Sequence, residues 1–172
     1  MPHLQPTPTW MVQPAPLVYL TGADCVDFLH RMSSANVRAL QHSGAMAQTL
    51  FVNAQGKLLD WCTLIRRDDG VLCLTSPGRA AAMWAWLERF IIMDEVQRSA
   101  QLQGWSHLRL LGENAPGWLG LAAAPPPGLC VPLAQGLCFA GPPALGDHLV
   151  VLQPEGAAAR PSQPGAFSPN RR

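Results

Sequence analysis

The stretch Met46-Ala-Gln-Thr-Leu-Phe-Val52, Asn53-Ala-Gln-Gly-Lys57, Leu58-Leu-Asp-Trp-Cys-Thr-Leu-Ile65, Arg66-Arg-Asp-Asp-Gly70, Val71-Leu-Cys-Leu-Thr75 decides the fold. Its three apolar runs have strand length and are rich in β-branched and aromatic residues. Asn53-Ala-Gln-Gly56 fits a hairpin loop, with Gly56 free to take φ > 0. Asp69-Gly70 closes the second link with another hairpin signal. The stretch therefore predicts an antiparallel three-stranded meander.

Working outward, side chains alternate between the two faces of a strand. On the middle strand Leu58, Asp60, Cys62 and Leu64 share one face, and Leu59, Trp61, Thr63 and Ile65 the other. Asp60 is an acid in an apolar row. Two readings stand open: a solvent-facing edge position, or a pocket acid that meets a polar ligand with its pKa raised by apolar neighbours. The second makes Asp60, with Leu58, Cys62 and Leu64, the candidate binding residues; no catalytic residue is assigned.

After the meander, Ser76-Pro77 reads as N-cap and first residue of a helix running to Ile92, with Ala80, Met83, Trp84, Leu87 and Ile91 on one face. Trp86 and Phe90 widen that face, so the helix is expected to be well buried. Before the meander, Leu17–Leu20 reads as a strand. Thr21 as N-cap and Asp24 three residues on open a helix whose apolar face is Cys25, Phe28, Leu29 and Met32. Further strands are predicted over 94–103, 105–111, 136–140 and 148–152, with a short helix within 112–120. The pattern is α+β: an antiparallel sheet with helices packed on one face. The second half echoes the first at low resolution.

Pro marks the ends of the 172-residue chain, so residues 1–16 are expected as an extended arm, 17–153 as the folded domain and 154–172 as a disordered tail. A hydrophobic content of 48% supplies a core. A formal net charge of +1 argues against a nucleic-acid surface driven by bulk charge. No apolar run reaches the roughly 20 residues of a membrane span. Five unpaired-looking Cys and scattered His, without ligand spacing, point to reduced cytosolic thiols packed as small hydrophobes and to no metal site.

Several motifs together carry a resemblance. Leu20-Thr-Gly-Ala-Asp-Cys-Val-Asp-Phe-Leu29 resembles the "L-x-G-x-D-A-x-x-F-L" opening of the YgfZ-type folate-binding proteins, relatives of the glycine-cleavage T-protein, an aminomethyltransferase. Asn53-Ala-Gln-Gly-Lys-Leu58 resembles that family's "n-p-k-G-k-l" turn, and Leu87 with Phe90-Ile-Ile-Met93 its "r-L-x-k-y-v-l" helix end. The resemblance runs from about Leu17 to about Leu152. It implies a folate-binding domain of the T-protein type with a tetrahydrofolate pocket. For the YgfZ type it implies a role in iron–sulfur cluster maintenance and tRNA modification, with iron–sulfur proteins as partners. For the T-protein it implies aminomethyl transfer. Asp60 matches the first acid of the T-protein pattern G-x-x-x-D-D and Trp61 replaces the second. The family's "K-G-C-Y-x-G-Q-E" signature and the rest of its folate domain have no counterpart, so the chain is expected to be a C-terminally shortened relative. A partner-binding remnant, pairing through an open sheet edge, is a further expectation.

Overall fold

The structure is a computed structural model and describes residues 9–142 and 146–157. In chain order the strands are β1 (Thr9–Pro14), β2 (Leu17–Thr21), β3 (Met46–Val52), β4 (Leu58–Arg67), β5 (Gly70–Leu74), β6 (Gln97–Ser99), β7 (Trp105–Leu111), β8 (Cys130–Leu133), β9 (Gly136–Ala140) and β10 (His148–Pro154). The helices are α1 (Cys25–Met32), α2 (Ala80–Glu88) and the single turn α3 (Ala115–Trp118).

The meander forms as its sequence predicts, with β3 paired to β4 and β4 to β5, all antiparallel. Asn53 Oδ1 accepts from the Gln55 and Lys57 amides, at 3.0 and 2.9 Å, and Gly56 takes φ +73°. Gly70 is the first residue of β5 rather than the centre of its turn; a Cβ there would overlap the Leu20 carbonyl oxygen.

The single sheet expected from the sequence is two five-stranded sheets, ordered β3-β4-β5-β2-β6 and β8-β9-β10-β7-β1. They stack through Leu17, Tyr19, Ile65, Leu72 and Leu74 of the first and Leu137, Phe139, Val150 and Leu152 of the second. The helices do not share one face. Phe28 and Leu29 of α1 and Met83 and Leu87 of α2 cover the outer face of the first sheet, while Ala115 and Trp118 of α3 pack on the outer face of the second.

The echo between the halves is a repeat of architecture. Each sheet uses equivalent strands in the same order: β2, β3, β4, β5, β6 correspond to β7, β8, β9, β10, β1. The strand-to-helix corners match as well. Gly22 after β2 has φ +116° and Gly112 after β7 has φ +122°, each followed two residues later by the N-cap of the next helix, Asp24 and Asn114. The last strand of the second unit is the first among the described residues. Thr9–Pro14 is therefore not an arm but β1, paired along β7. The rest of the expected arm, residues 1–8, and the expected tail from 158 on lie outside the described residues.

Three local expectations change. Helix α2 begins at Ala80, not beside Ser76, because the Ser76 hydroxyl is committed to Asp60. Only Met83 and Leu87 of α2 are buried, and Phe90, Ile92 and Met93 beyond its end are exposed. The Asp24 carboxylate closes no capping box; it accepts from the Glu95 amide at 2.8 Å.

A candidate ligand cleft between the sheets

Asp60 sits on the outer, helix-facing side of β4 and is only 5% exposed. Its Oδ1 accepts from the Trp61 amide at 2.9 Å and the Ser76 hydroxyl at 2.6 Å, and its Oδ2 from the Ser76 amide at 3.1 Å. The carboxylate thus ties β4 to the segment that leaves β5. Cys62 and Leu64 follow it into the core under α1 and α2. Leu58 does not: a bulge opposite Phe51 and Val52 interrupts the alternation, so Leu59 packs against that core and Leu58 is 60% exposed. None of these four residues lines either cavity described next.

The opposite face of β4 looks into the space between the sheets. There Trp61 and Thr63 meet Leu74, Ser76 and Pro77 on the first sheet's side, and His107, Arg109, Phe139, His148 and Val150 on the second's, around a gap of about 150 Å³. Beside it, where β3 approaches α3 and β10, a larger cavity of about 650 Å³ is walled by Met46, Ala47, Pro116, Ala124, Pro127 and Leu149, with Gln48, Glu113 and Asp147 as polar groups. His148 lines both. Its Nδ1 donates to the Gly146 carbonyl at 2.7 Å, and its ring lies so close over Gly141 that any side chain there would collide with it.

His107 is buried on β7, with Nδ1 hydrogen-bonded to the Gln13 amide nitrogen of β1 at 3.1 Å. Burial, reinforced by Arg109 and then His148, pushes its imidazole down to about 4 from the ordinary 6.5. It is neutral at pH 7. With Nδ1 accepting from Gln13, Nε2 carries the hydrogen. That Nε2 and the Nε of Arg109 are buried without a partner among the described residues.

All five cysteines are buried and free, as expected of thiols packed as small hydrophobes. Among the described residues no group of His, Cys, Asp and Glu is placed to hold a metal, and no helix is long and apolar enough to cross a membrane.

Sequence reading found Asp60 but none of His107, Arg109 and His148. The signal for the first two was present in the alternation of Trp105-Ser-His-Leu-Arg-Leu-Leu111, where His107 and Arg109 fall on one face between Trp105 and Leu111.

No protein-family profile matches the chain. No curated protein matches it either. A solved structure does: the glycine cleavage system aminomethyltransferase T from Bartonella henselae, with a TM-score of 0.73 and 21% identity over 91% of this chain. The chain therefore has a T-protein-like fold. It spans less than half of that protein, 44% of its length.

Proposed function

We propose that this chain binds a folate-class molecule, with the flat pterin ring in the larger cavity, and that it serves as a YgfZ-type accessory to iron–sulfur proteins rather than as an aminomethyltransferase. The observation that carries the binding reading is that cavity of about 650 Å³, apolar in its walls and edged by carboxylates, in a T-protein-like fold. Its volume falls within the ~300–1,000 Å³ of small-molecule sites. A pterin offers a flat apolar body and ring N–H donors; the apolar walls suit the first, and Glu113 and Asp147 supply acceptors for the second. The iron–sulfur role rests on the sequence resemblance. The preference against carbon transfer rests on Trp61, which stands where the T-protein pattern has its second acid.

Asp60 stands outside this cavity and is a positioning residue for the neighbouring gap. It holds Ser76, whose segment forms one wall of the gap between the sheets, from the far side of β4. Cys62 and Leu64 then serve the core around it, while Leu58 stands exposed.

Calorimetric titration of the folded chain with tetrahydrofolate tests the binding. Saturable heat is expected, weakened about ten- to a hundredfold in Glu113→Gln by loss of one charge-assisted hydrogen bond. Gln48→Trp, at an exposed position on the cavity wall, is expected to abolish it. Asp60→Asn is expected to change affinity less than Glu113→Gln. Absence of heat from the folded, unmodified chain would overturn the binding reading. Cells lacking the chain are expected to lose iron–sulfur-dependent tRNA modification, and normal modification there would remove the accessory role.

A second reading is favoured by one observation. Ile92 and Met93 are 86% and 93% exposed beside the half-exposed Phe90. We read this as a contact surface on which a second copy of this chain docks. Light scattering on the chain and on Ile92→Glu is expected to show association only in the unmodified protein; monomers in both would remove this reading.

A further inference from the structure

We propose that the gap between the two sheets is a carboxylate-binding site, in which the Nε2–H of His107 and the Nε–H of Arg109 are the donors. His107 and Arg109 both line this gap, and these two buried nitrogens have no partner among the described residues. His107 is itself only 4% exposed. A buried donor left without an acceptor carries its desolvation penalty uncompensated, so two beside one cavity call for an acceptor. Gln13 holds the His107 ring from behind, through Nδ1, so that Nε2–H is the atom left to meet a ligand.

The architectural repeat shows that the fold does not require these side chains. Leu17 and Tyr19 of β2 pair with Leu74 and Leu72 of β5; in the second unit His107 and Arg109 of β7 pair with Leu152 and Val150 of β10 at the equivalent positions. In the first unit the pair is packed into the core between the sheets. In the second the same two inward positions carry an imidazole and a guanidinium.

Charge selects the ligand. No Asp or Glu is among the residues lining the gap. The ion pairs among the described residues are Arg31–Asp94 and Arg38–Asp27, so Arg109 has no counter-ion there. With His107 neutral, the Arg109 guanidinium supplies the permanent positive charge of the gap. Water would satisfy the donors and leave that charge unbalanced. A phosphate dianion would bring an excess negative charge into a space walled by Leu74, Phe139 and Val150, which is costly. A carboxylate matches both the charge and the two donors. At about 150 Å³ the gap lies below the ~300–1,000 Å³ of sites that enclose whole drug-sized ligands, so it takes a carboxylate on a short carbon stem.

The test is NMR of the full chain with ¹⁵N-labelled histidine, following the His107 ring nitrogens, assigned with His107→Gln, at constant ionic strength. Propionate is expected to shift them saturably, and sulfate to bind at least tenfold more weakly. Arg109→Gln is expected to weaken propionate at least tenfold, and Arg109→Lys, which keeps the charge, by less. Sulfate binding as tightly as propionate would overturn the assignment in favour of an unselective anion site. No shift with either would mean that the gap holds water only. A folded Arg109→Gln with unchanged affinity would equally sink the proposal. The site stands apart from the folate reading, and a tetrahydropterin without a carboxylate separates the two. Propionate binding without pterin binding leaves this site and removes that reading; the converse removes this site and leaves the reading.

Discussion

Replacing Asp60 by alanine strands three donors at once: the Trp61 amide, the Ser76 amide and the Ser76 hydroxyl. A loss of about 3 kcal/mol in urea denaturation is expected, with Asp60→Asn milder because it keeps an acceptor. Asp60→Ala and Ser76→Ala are expected to be strongly non-additive in a double-mutant cycle, since each removes the other's partner. His107 gives the chain an acid-sensitive term. Its folded value is held near 4 by burial, Arg109 and His148, against 6.5 unfolded, so the unfolded chain takes the proton first as pH falls. The stabilisation is full above about pH 6.5 and is lost as pH falls through about 4, amounting to roughly 3 kcal/mol. In His107→Gln that part of the pH dependence between 4 and 6.5 is expected to vanish from denaturation curves. Burial raises Cys130 and Cys138 to about 12, so neither thiol is expected to react with a thiol reagent at pH 8 until the chain unfolds. The sequence made Asp60 conspicuous because alternation exposes an acid in an apolar row. Alternation within one strand does not reveal what stands opposite, and here that is Ser76, sixteen residues on.

At the scale of elements, the corner after β2 is set by Gly22. A Cβ there would overlap the Glu95 carbonyl oxygen, and the backbone stands at φ +116°. Gly22→Ala is expected to cost about 3 kcal/mol or more, read as a lowered urea midpoint with an unchanged slope. The meander, α1 and β7 were legible in the sequence because their apolar patterns are long and their turns carry Gly and Asn. Two strands were not. β8 contains Pro132, which demotes a strand read from sequence, yet it lies at the sheet edge where Pro is tolerated. β1 is flanked by prolines and has no turn joining it to its partner, because that partner, β7, lies far along the chain. The start of α2 was misplaced for a related reason. Ser76-Pro77 satisfies the local rule for a helix start, but Asp60 holds the serine hydroxyl through a tertiary contact. The inward-facing His107 and Arg109 were missed because which face of β7 meets another sheet follows only from the stacking of the two sheets.

Across the whole molecule, the two repeated units share one core between them, and β1 crosses from the start of the chain into the second unit. A single cooperative urea transition is expected, with fluorescence and circular dichroism coincident. Removing residues 1–14 is expected to destabilise the whole chain, because it strips an edge from β7 and takes away Gln13, which holds His107. The crossing also sets a clock on biosynthesis. Every strand of the first unit is made by Ser99, so that unit's sheet can be assembled while the second is still on the ribosome. β1 leaves the ribosome before all of them, yet its partner β7 begins roughly ninety residues later. At about 5–20 residues per second, its backbone groups and its Trp10, Met11 and Val12 side chains wait on the order of 5–20 s without a strand to pair with. During that interval β1 is exposed to pairing with another nascent chain, and slower translation of residues 15–104 is expected to lengthen it.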